Sequence, residues 1–250
     1  MSQTTQPLTG KTALITGGSR GIGAAICKRL ASGGANIVLT YAKSAESANQ
    51  VVQACQSHDV SAKAIQADIG NIEANRKVVE MIVQDYGQID IVVNNAAIFP
   101  NINLLEVTEK DFDDSLNLNL RGSFFLTQAA AKKMPKGGRI INIGSIFGES
   151  VPIPNMSLYS MTKFAMAGLT RAWARDLGPS GITVNCIQPG PINTEMNPED
   201  SEFAKFMSSR SPIERYGRVE EIAEMVAYLV GPNTDNVNGA ILNNDGGWNA

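Results

Sequence analysis

The chain has 250 residues, 43% of them hydrophobic and 18% charged, which is enough to close one large core and excludes a disordered or fibrous protein. A net charge of -3 and an isoelectric point of 5.3 exclude the broad basic field that nucleic acid or an anionic membrane surface requires, so neither is an expected partner. Three scattered cysteines, Cys27, Cys55 and Cys186, and a single histidine, His58, leave neither a disulfide framework nor a metal site to build on.

The stretch from Met1 to Gly10 has no basic or apolar targeting signature, and nothing later stays apolar for the roughly 18 residues of a membrane span. The expectation is a cytoplasmic protein of one domain, 1–250, with 1–9 as an N-terminal tail. Short apolar, β-branched runs then alternate with longer amphipathic ones. The first strand, Thr12 to Thr16, leads into a helix from Gly21 to Ser32, and the second, Asn36 to Thr40, into a helix from Ala45 to Ser57. Ala62 to Ala67 is followed by a helix from Asn71 to Tyr86, and Ile89 to Val93 by one long helical pattern from Glu109 to Lys133. Arg139 to Ile143 precedes a helix from Leu158 to Leu177; Ile182 to Ile187, a helix from Glu220 to Val230 and a last strand, Ala240 to Asn243, complete the order. Strands apolar on both faces and separated by helices predict a doubly wound α/β Rossmann fold, with a seven-stranded, mainly parallel sheet covered on both faces. The one long irregular stretch, 188–218, carries a short helix at Glu202 to Ser208 and is read as a substrate loop or lid.

The first strand ends in Thr16-Gly17-Gly18-Ser19-Arg20-Gly21-Ile22-Gly23. Glycines here permit a tight turn, let backbone N–H groups approach a pyrophosphate and bring the helix close to the strand, with the helix N-terminus facing the anion. The spacing differs from the general G-x-G-x-x-G pattern, and a plain connecting turn is the alternative reading. An NAD(H) site needs a carboxylate near the end of the second strand for the ribose hydroxyls. The run Thr40-Tyr41-Ala42-Lys43-Ser44 has none, whereas Arg20 and Lys43, with Ser19 and Ser44, supply donors for a 2′-phosphate. The charge pattern therefore favours NADP(H) over NAD(H).

In Tyr159-Ser160-Met161-Thr162-Lys163 the tyrosine and lysine lie four apart on a helix and share a face. A fixed ammonium beside a phenol favours the phenolate, which suits the pair to proton transfer. Ser145 ends the fifth strand, at the carboxyl edge where ligands sit in parallel sheets, and there it can donate to a carbonyl oxygen.

With Thr16 to Gly23, Asp68, Asn94-Asn95-Ala96-Ala97, Asn119, Ser145, Tyr159 with Lys163, Pro189-Gly190 and Asn238-Gly239 to Gly247 in order, the chain resembles the short-chain dehydrogenase/reductase family over nearly its whole length. It looks most like the bacterial 3-oxoacyl carrier-protein reductases within that family. The resemblance implies a tetrad: Tyr159 as general acid or base, Ser145 positioning the substrate oxygen, Lys163 tuning the tyrosine and bonding the nicotinamide ribose, and Asn119 holding a relay water. It also implies that Asp68 and Ile69 border the adenine, Asn95, Ala96 and Ala97 the cofactor's centre, and Pro189, Gly190, Ile192 and Thr194 the carboxamide. Ala97 stands where the family usually has glycine, so the backbone there must accept a Cβ. Relatives commonly form tetramers through the helical regions 109–133 and 158–177, with a second contact near the C-terminal strand, so a homotetramer is expected.

The function read from these residues is NADPH-dependent reduction of a small-molecule ketone to a secondary alcohol, reversibly, in a partly apolar pocket flanked by Ser145, Phe147, Ile153, Met156, Pro191 and Met196. Two alternatives remain open. One is a 3-oxoacyl-carrier-protein reductase of fatty-acid synthesis, with Lys132, Lys133 and Lys136 or Arg171 and Arg175 as the carrier's basic landing site. The other is a regulatory member without turnover, since 139–145 and 189–198 resemble a subgroup for which cyclic-dinucleotide binding has been proposed.

Overall fold

The structure, a computed structural model, describes residues 6–250; of the expected N-terminal tail, residues 1–5 lie outside the described residues. The remainder of that tail is not loose. Leu8 is buried among the core residues and its amide donates to the Gly33 carbonyl at 2.8 Å, which fastens the entry of the chain beneath the first helix.

The strands are β1 (Thr12–Ile15), β2 (Asn36–Tyr41), β3 (Ala62–Gln66), β4 (Ile91–Asn94), β5 (Arg139–Ile143), β6 (Thr183–Pro189) and β7 (Ile241–Asn244). They form one seven-stranded sheet in the order β3-β2-β1-β4-β5-β6-β7, with every named pair parallel. The helices are α1 (Gly21–Ser32), α2 (Ala45–Gln56), α3 (Ile72–Tyr86), α4 (Glu109–Leu116), α5 (Ser123–Ala131), α6 (Ser157–Leu177), α7 (Glu202–Ser209) and α8 (Val219–Val230). Parallel pairing forces each connection to cross over a face of the sheet, and a separate apolar core lies on each face. Ile15, Ile37, Leu39 and Val93 pack with α1 and α8 on one side, and Leu14, Val38, Val92 and Ile140 with α3, α5 and α6 on the other. Adjacent residues of β1 thus feed opposite cores, as the two-residue period of a strand requires. Each such fully buried Leu or Ile contributes about 1.5–3 kcal/mol relative to exposure. Among the described residues no helix is long and apolar enough to cross a membrane.

Two elements depart from the sequence-based expectation. The fourth strand begins at Ile91 rather than Ile89, because the Asp90 carboxylate turns to accept from the Thr12 amide and the Lys11 ammonium, each at 3.0 Å. The pattern from Glu109 to Lys133 is not one helix: α4 and α5 are separated by a π-helical turn over Asn117–Gly122. A widened turn of this kind frequently marks a functional position. Here it allows the Asn119 side chain to leave the helix and grip another segment, while Gly122 passes so close to Ile69 that an added Cβ would lie 2.8 Å from its carbonyl carbon.

Candidate active site

Because every strand runs the same way, the glycine turn after β1, Ala42 to Ser44 after β2, Asp68 after β3, Asn95 to Ala97 after β4, Ser145 after β5 and Gly190 after β6 all share the carboxyl edge of the sheet. The strand order reverses between β1 and β4, and in open α/β sheets that is where the ligand crevice opens.

The glycine turn is held by its neighbours on both sides. Gly17 and Gly18 donate through their amides to the Thr40 hydroxyl at 3.3 Å and the Thr40 carbonyl at 3.0 Å. Asn95 donates through Nδ2 to the carbonyls of Thr16 and Gly17 at 2.9 and 3.1 Å, and the Thr16 hydroxyl accepts from the amides of Asn95 and Ala96, both at 2.9 Å. Gly17 adopts φ +64°, a left-handed conformation that glycine takes without strain. Helix α1 begins with no side-chain cap and no acidic residue in its first turn, so the positive end of its dipole faces the crevice uncompensated. Across the crevice, Thr194 Cγ2 lies 3.4 Å from where a Gly21 Cβ would stand, which brings the Pro189 to Thr194 segment over the turn.

Of the residues expected to meet the adenosine, Arg20 and Lys43 are exposed, and neither joins an ion pair among the described residues. Ser19, Tyr41 and Ser44 are partly buried beside them, and Ser44 begins α2 without making a side-chain cap. Asp68 is exposed, with Oδ1 accepting from the Gly70 amide at 2.9 Å. Ile69 is buried in the core. Ala97 does not take a left-handed backbone, so its Cβ is accommodated without strain.

The tetrad residues gather around α6. The Lys163 side chain, 6% exposed, donates from Nζ to the Ile143 carbonyl at 2.9 Å and lies 5.4 Å from the centre of the Tyr159 ring. An ammonium has three donors; no other acceptor for this one exists among the described residues. Ser145 accepts through Oγ from the Phe147 amide at 3.2 Å, a bond that leaves its own hydroxyl proton free to donate. Asn119, in the π-helical turn, accepts through Oδ1 from the Ile98 amide at 2.8 Å and donates through Nδ2 to the Ile98 carbonyl at 3.0 Å and to Thr162 Oγ1 at 3.2 Å. It thereby stitches the loop after β4 to the turn of α6 that separates Tyr159 from Lys163. Beneath lies a buried ladder: Asn94 donates to Thr127 Oγ1 and Asn142 Oδ1, and Asn142 to Thr170 Oγ1, at 2.8 to 2.9 Å. These interior bonds fix the carboxyl ends of β4 and β5 against α5 and α6, with Asn94 Oδ1 alone of the ladder's side-chain amide oxygens left without a partner among the described residues.

Of the expected pocket residues, Phe147, Ile153 and Met156 pack together with Tyr159, Ala204, Met207, Tyr216 and Trp248. Pro191 lines a separate cavity of 160 Å³ behind the loop, with Ile192, Ile213 and Arg215. Met196 is 56% exposed and lies outside the apolar cluster. Sequence reasoning passed over Phe99, whose ring sits edge-on to Tyr159 at 4.7 Å with 36% of its surface open. The available signal was an aromatic residue two places beyond Asn95-Ala96-Ala97. It also passed over Trp248, edge-on to Phe147 at 6.3 Å.

The segment 188–218 is anchored at its far end by Glu221 on α8. That carboxylate accepts two bonds from Arg215, at 2.7 and 3.0 Å, and one from the Arg218 amide at 2.7 Å. These donors, Arg215 first, hold its pKa down at about 2, so the clasp stays charged throughout the neutral range. Burial pushes the Cys55 and Cys186 thiols up to about 11, and raises Cys27 as well, so all three are neutral and unsuited to nucleophilic work near pH 7.

Fold and site together define an α/β oxidoreductase of the doubly wound type. Residues 17–249 match the family model described as enoyl-(acyl carrier protein) reductase. A cyclic-di-GMP-binding biofilm dispersal mediator protein of Escherichia coli is 41% identical over 242 residues, covering 97% of this chain and 98% of that one. A probable tetrahydroxynaphthalene reductase of Zymoseptoria tritici is 38% identical over 255 residues, covering 97% and 96%. Among solved structures, a short-chain dehydrogenase of Burkholderia cenocepacia in complex with NADP superposes with a TM-score of 0.96 at 47% identity, covering 98% of this chain and 100% of that one. The chain belongs to the short-chain dehydrogenase/reductase family.

Proposed function

We propose that the protein is an NADPH-dependent carbonyl reductase that converts a ketone to a secondary alcohol, reversibly, with Tyr159 as the general acid. The observation that carries this reading is the buried Lys163 ammonium, held by one bond to Ile143 and standing 5.4 Å from the Tyr159 ring, with two donors left over. A buried cation with unspent donors is costly unless a ligand meets it. The ribose hydroxyls of a dinucleotide have that chemistry. The crevice fits the rest of the group: a glycine turn against which any Cβ at Gly23 would collide, an uncapped helix N-terminus for the pyrophosphate, and the unpaired cations Arg20 and Lys43 for a 2′-phosphate. The structural relative from Burkholderia cenocepacia was solved with NADP.

When bound, the nicotinamide supplies the hydride. The chain's own residues handle the oxygen and its proton. Ser145 Oγ–H donates to the carbonyl, Tyr159 delivers the proton as negative charge develops there, and Lys163 stabilises the phenolate left behind. Asn119 keeps the α6 turn between them in register. Phe99, Phe147, Ile153 and Met156 surround the tyrosine with apolar surface, which suits a partly aromatic ketone and agrees with the reductase name carried by the fungal relative. The segment 188–218 acts as the lid.

A carrier-protein substrate is less well supported. Lys132, Lys133 and Lys136 follow α5 and precede β5, and Arg175 lies in the last turn of α6 before β6, so they sit by chain direction at the amino edge of the sheet, opposite the crevice. The regulatory reading has the bacterial relative's name behind it, but a binder needs no tyrosine placed beside a buried ammonium.

A ketone panel run with NADPH and NADH at equal concentration tests the proposal, and no turnover with any carbonyl would sink it. Replacing both Arg20 and Lys43 by Ala is expected to raise KM for NADPH by about 10- to 100-fold with little change for NADH, since each charged contact contributes about 1.5–3 kcal/mol at most and these are exposed. Equal effects on the two cofactors would move the phosphate site elsewhere. We also propose assembly as a homotetramer through α4, α5 and α6, where Phe112, Phe124 and Phe164 are exposed. A monomer in sedimentation at micromolar concentration would refute it.

A further inference from the structure

We infer that the C-terminal tail, residues 245–250, is a strap that positions the Ser145 loop against the lid helix, with Asn249 and Trp248 as its two fastenings; the inference rests on the reading of Ser145 and Tyr159 as the reacting groups. Asn249 acts through the loop that carries Ser145, and Trp248 through α7 and Phe147.

Asn249 holds the loop that follows Ser145. Its Nδ2 donates to the Ile146 carbonyl at 3.1 Å, and its Oδ1 accepts from the Ser150 hydroxyl. A third bond closes the same loop from β7, where Asn243 Nδ2 donates to Glu149 at 2.6 Å. Within itself the loop is one short 3₁₀ turn, Ile146–Gly148, in which the Ser145 side chain accepts from the Phe147 amide and the Ile146 carbonyl also accepts from the Glu149 and Ser150 amides, both at 3.1 Å; its hydrogen bonds to the tail are the two made by Asn249. Removing the Asn249 amide therefore unties this turn from the tail at the residue next to Ser145.

Trp248 holds the lid. Its indole Nε1 donates to the Met207 carbonyl in α7 at 3.2 Å, while its ring packs edge-on to Phe147, which in turn packs on Tyr159 at 6.1 Å. The Arg210 guanidinium, at the end of α7, lies over the indole at 5.4 Å from its centre. Ser211 Oγ adds a bond to the Gly246 carbonyl at 3.0 Å. The tail is itself stiff: Asp245 accepts from the amides of Gly247 and Asn249 at 2.9 and 3.0 Å, and Gly246 and Gly247 both take the left-handed backbone, so the fastenings are presented on a preformed turn. Its base is seated on the crevice too, since a Gly190 Cβ would stand 2.7 Å from Asp245 Cα. One short turn thus spans the nicotinamide-side loop, the Ser145 loop and the lid helix.

The two fastenings predict different kinetic signatures. Asn249→Ala is expected to lower kcat about 10- to 100-fold, the penalty of a reacting group displaced by a fraction of an ångström to an ångström, with KM and NADPH affinity within about twofold. Asn249→Gln, which carries the same amide, restores part of the loss. Trp248→Phe keeps the contact with Phe147 and loses the bond to Met207; its expected effect is a KM about 5- to 10-fold higher with kcat spared. The assay uses the full-length enzyme with NADPH and 9,10-phenanthrenequinone, with NADPH binding read separately by fluorescence. Amide hydrogen exchange is measured in parallel, and should accelerate over 145–150 in Asn249→Ala and over 202–211 in Trp248→Phe. Exchange unchanged in those segments overturns the strap whether or not the wild-type chain reduces the quinone. If the wild-type chain turns over no carbonyl, the carbonyl-reductase reading falls, and exchange alone decides the strap. A wild-type kcat in Asn249→Ala, or an equal loss of kcat in Asn249→Gln and Asn249→Ala, also counts against it.

Discussion

Tyr159→Phe is expected to cut turnover by about 10³-fold or more while NADPH binding stays within about twofold of wild type, an estimate at the upper part of the range for a positioned proton donor. The substitution removes one oxygen and little else. The ring stays between Phe99 at 4.7 Å and Phe147 at 6.1 Å, so the apolar cluster keeps its packing. Lys163 keeps its bond to Ile143, and Thr162 its bond to the carbonyl of residue 159 at 2.8 Å, because both use the backbone. With binding geometry preserved, the loss should appear in kcat and kcat/KM together, the pattern of a group whose contribution arises in the transition state. Stopped-flow oxidation of NADPH with an accepted ketone measures it. Retained turnover would remove Tyr159 from the chemistry. A Tyr159→Phe chain that still supplied its cellular role would favour the regulatory reading.

The doubly wound sheet was legible because its signal is local and repeated. Runs such as Thr12 to Ile15 and Ile140 to Ile143 are buried on both faces, and that pattern is printed in the sequence as β-branched stretches separated by amphipathic ones. Right-handed crossovers between such strands then give the doubly wound class. The grouping of Asn119, Ser145, Tyr159 and Lys163 rested on adding weak clues. Tyr159 and Lys163 are four apart and reveal their shared face directly, but nothing near Asn119 announces that the helix opens there. That π-helical turn is set by a partner 21 residues away, Ile98, and by the close pass of Gly122 over Ile69, so a pattern of helical period reads straight through it. The tail lies further out of reach. Ser150 and Ile146 meet Asn249 across 99 and 103 residues of chain, and an Asn beside a terminal Trp has no periodicity to betray such contacts. The exposure of Met196 was out of reach for a related reason. A side chain on an irregular loop has no face assigned by a repeat, and this one is left in solvent.

Gly23→Ala is the complementary expected result: NADPH affinity falls at least about 100-fold, or about 2.8 kcal/mol, with a measurable loss of thermal stability even in the absence of nucleotide. Gly23 is inside α1 and needs no unusual backbone angle, so conformational freedom does not explain the residue. Space does. A Cβ there would stand 2.6 Å from Asn95 Nδ2 and closer still to the Gly17 carbonyl oxygen. Both atoms belong to the same hydrogen bond, the one at 3.1 Å by which Asn95 ties the end of β4 to the glycine turn. Neither is the free end of a flexible chain: Asn95 is also committed to Thr16, and Gly17 is held by Thr40. The extra methyl group must therefore push α1 off the turn or break the tie, and either movement displaces the uncapped helix end proposed to meet the pyrophosphate. Titration of NADPH fluorescence, together with melting temperatures of the two apo proteins, separates the effects. An affinity reduced with an unchanged melting temperature would locate the damage in the anion contact alone, and wild-type affinity would show that the turn is not where the dinucleotide rests.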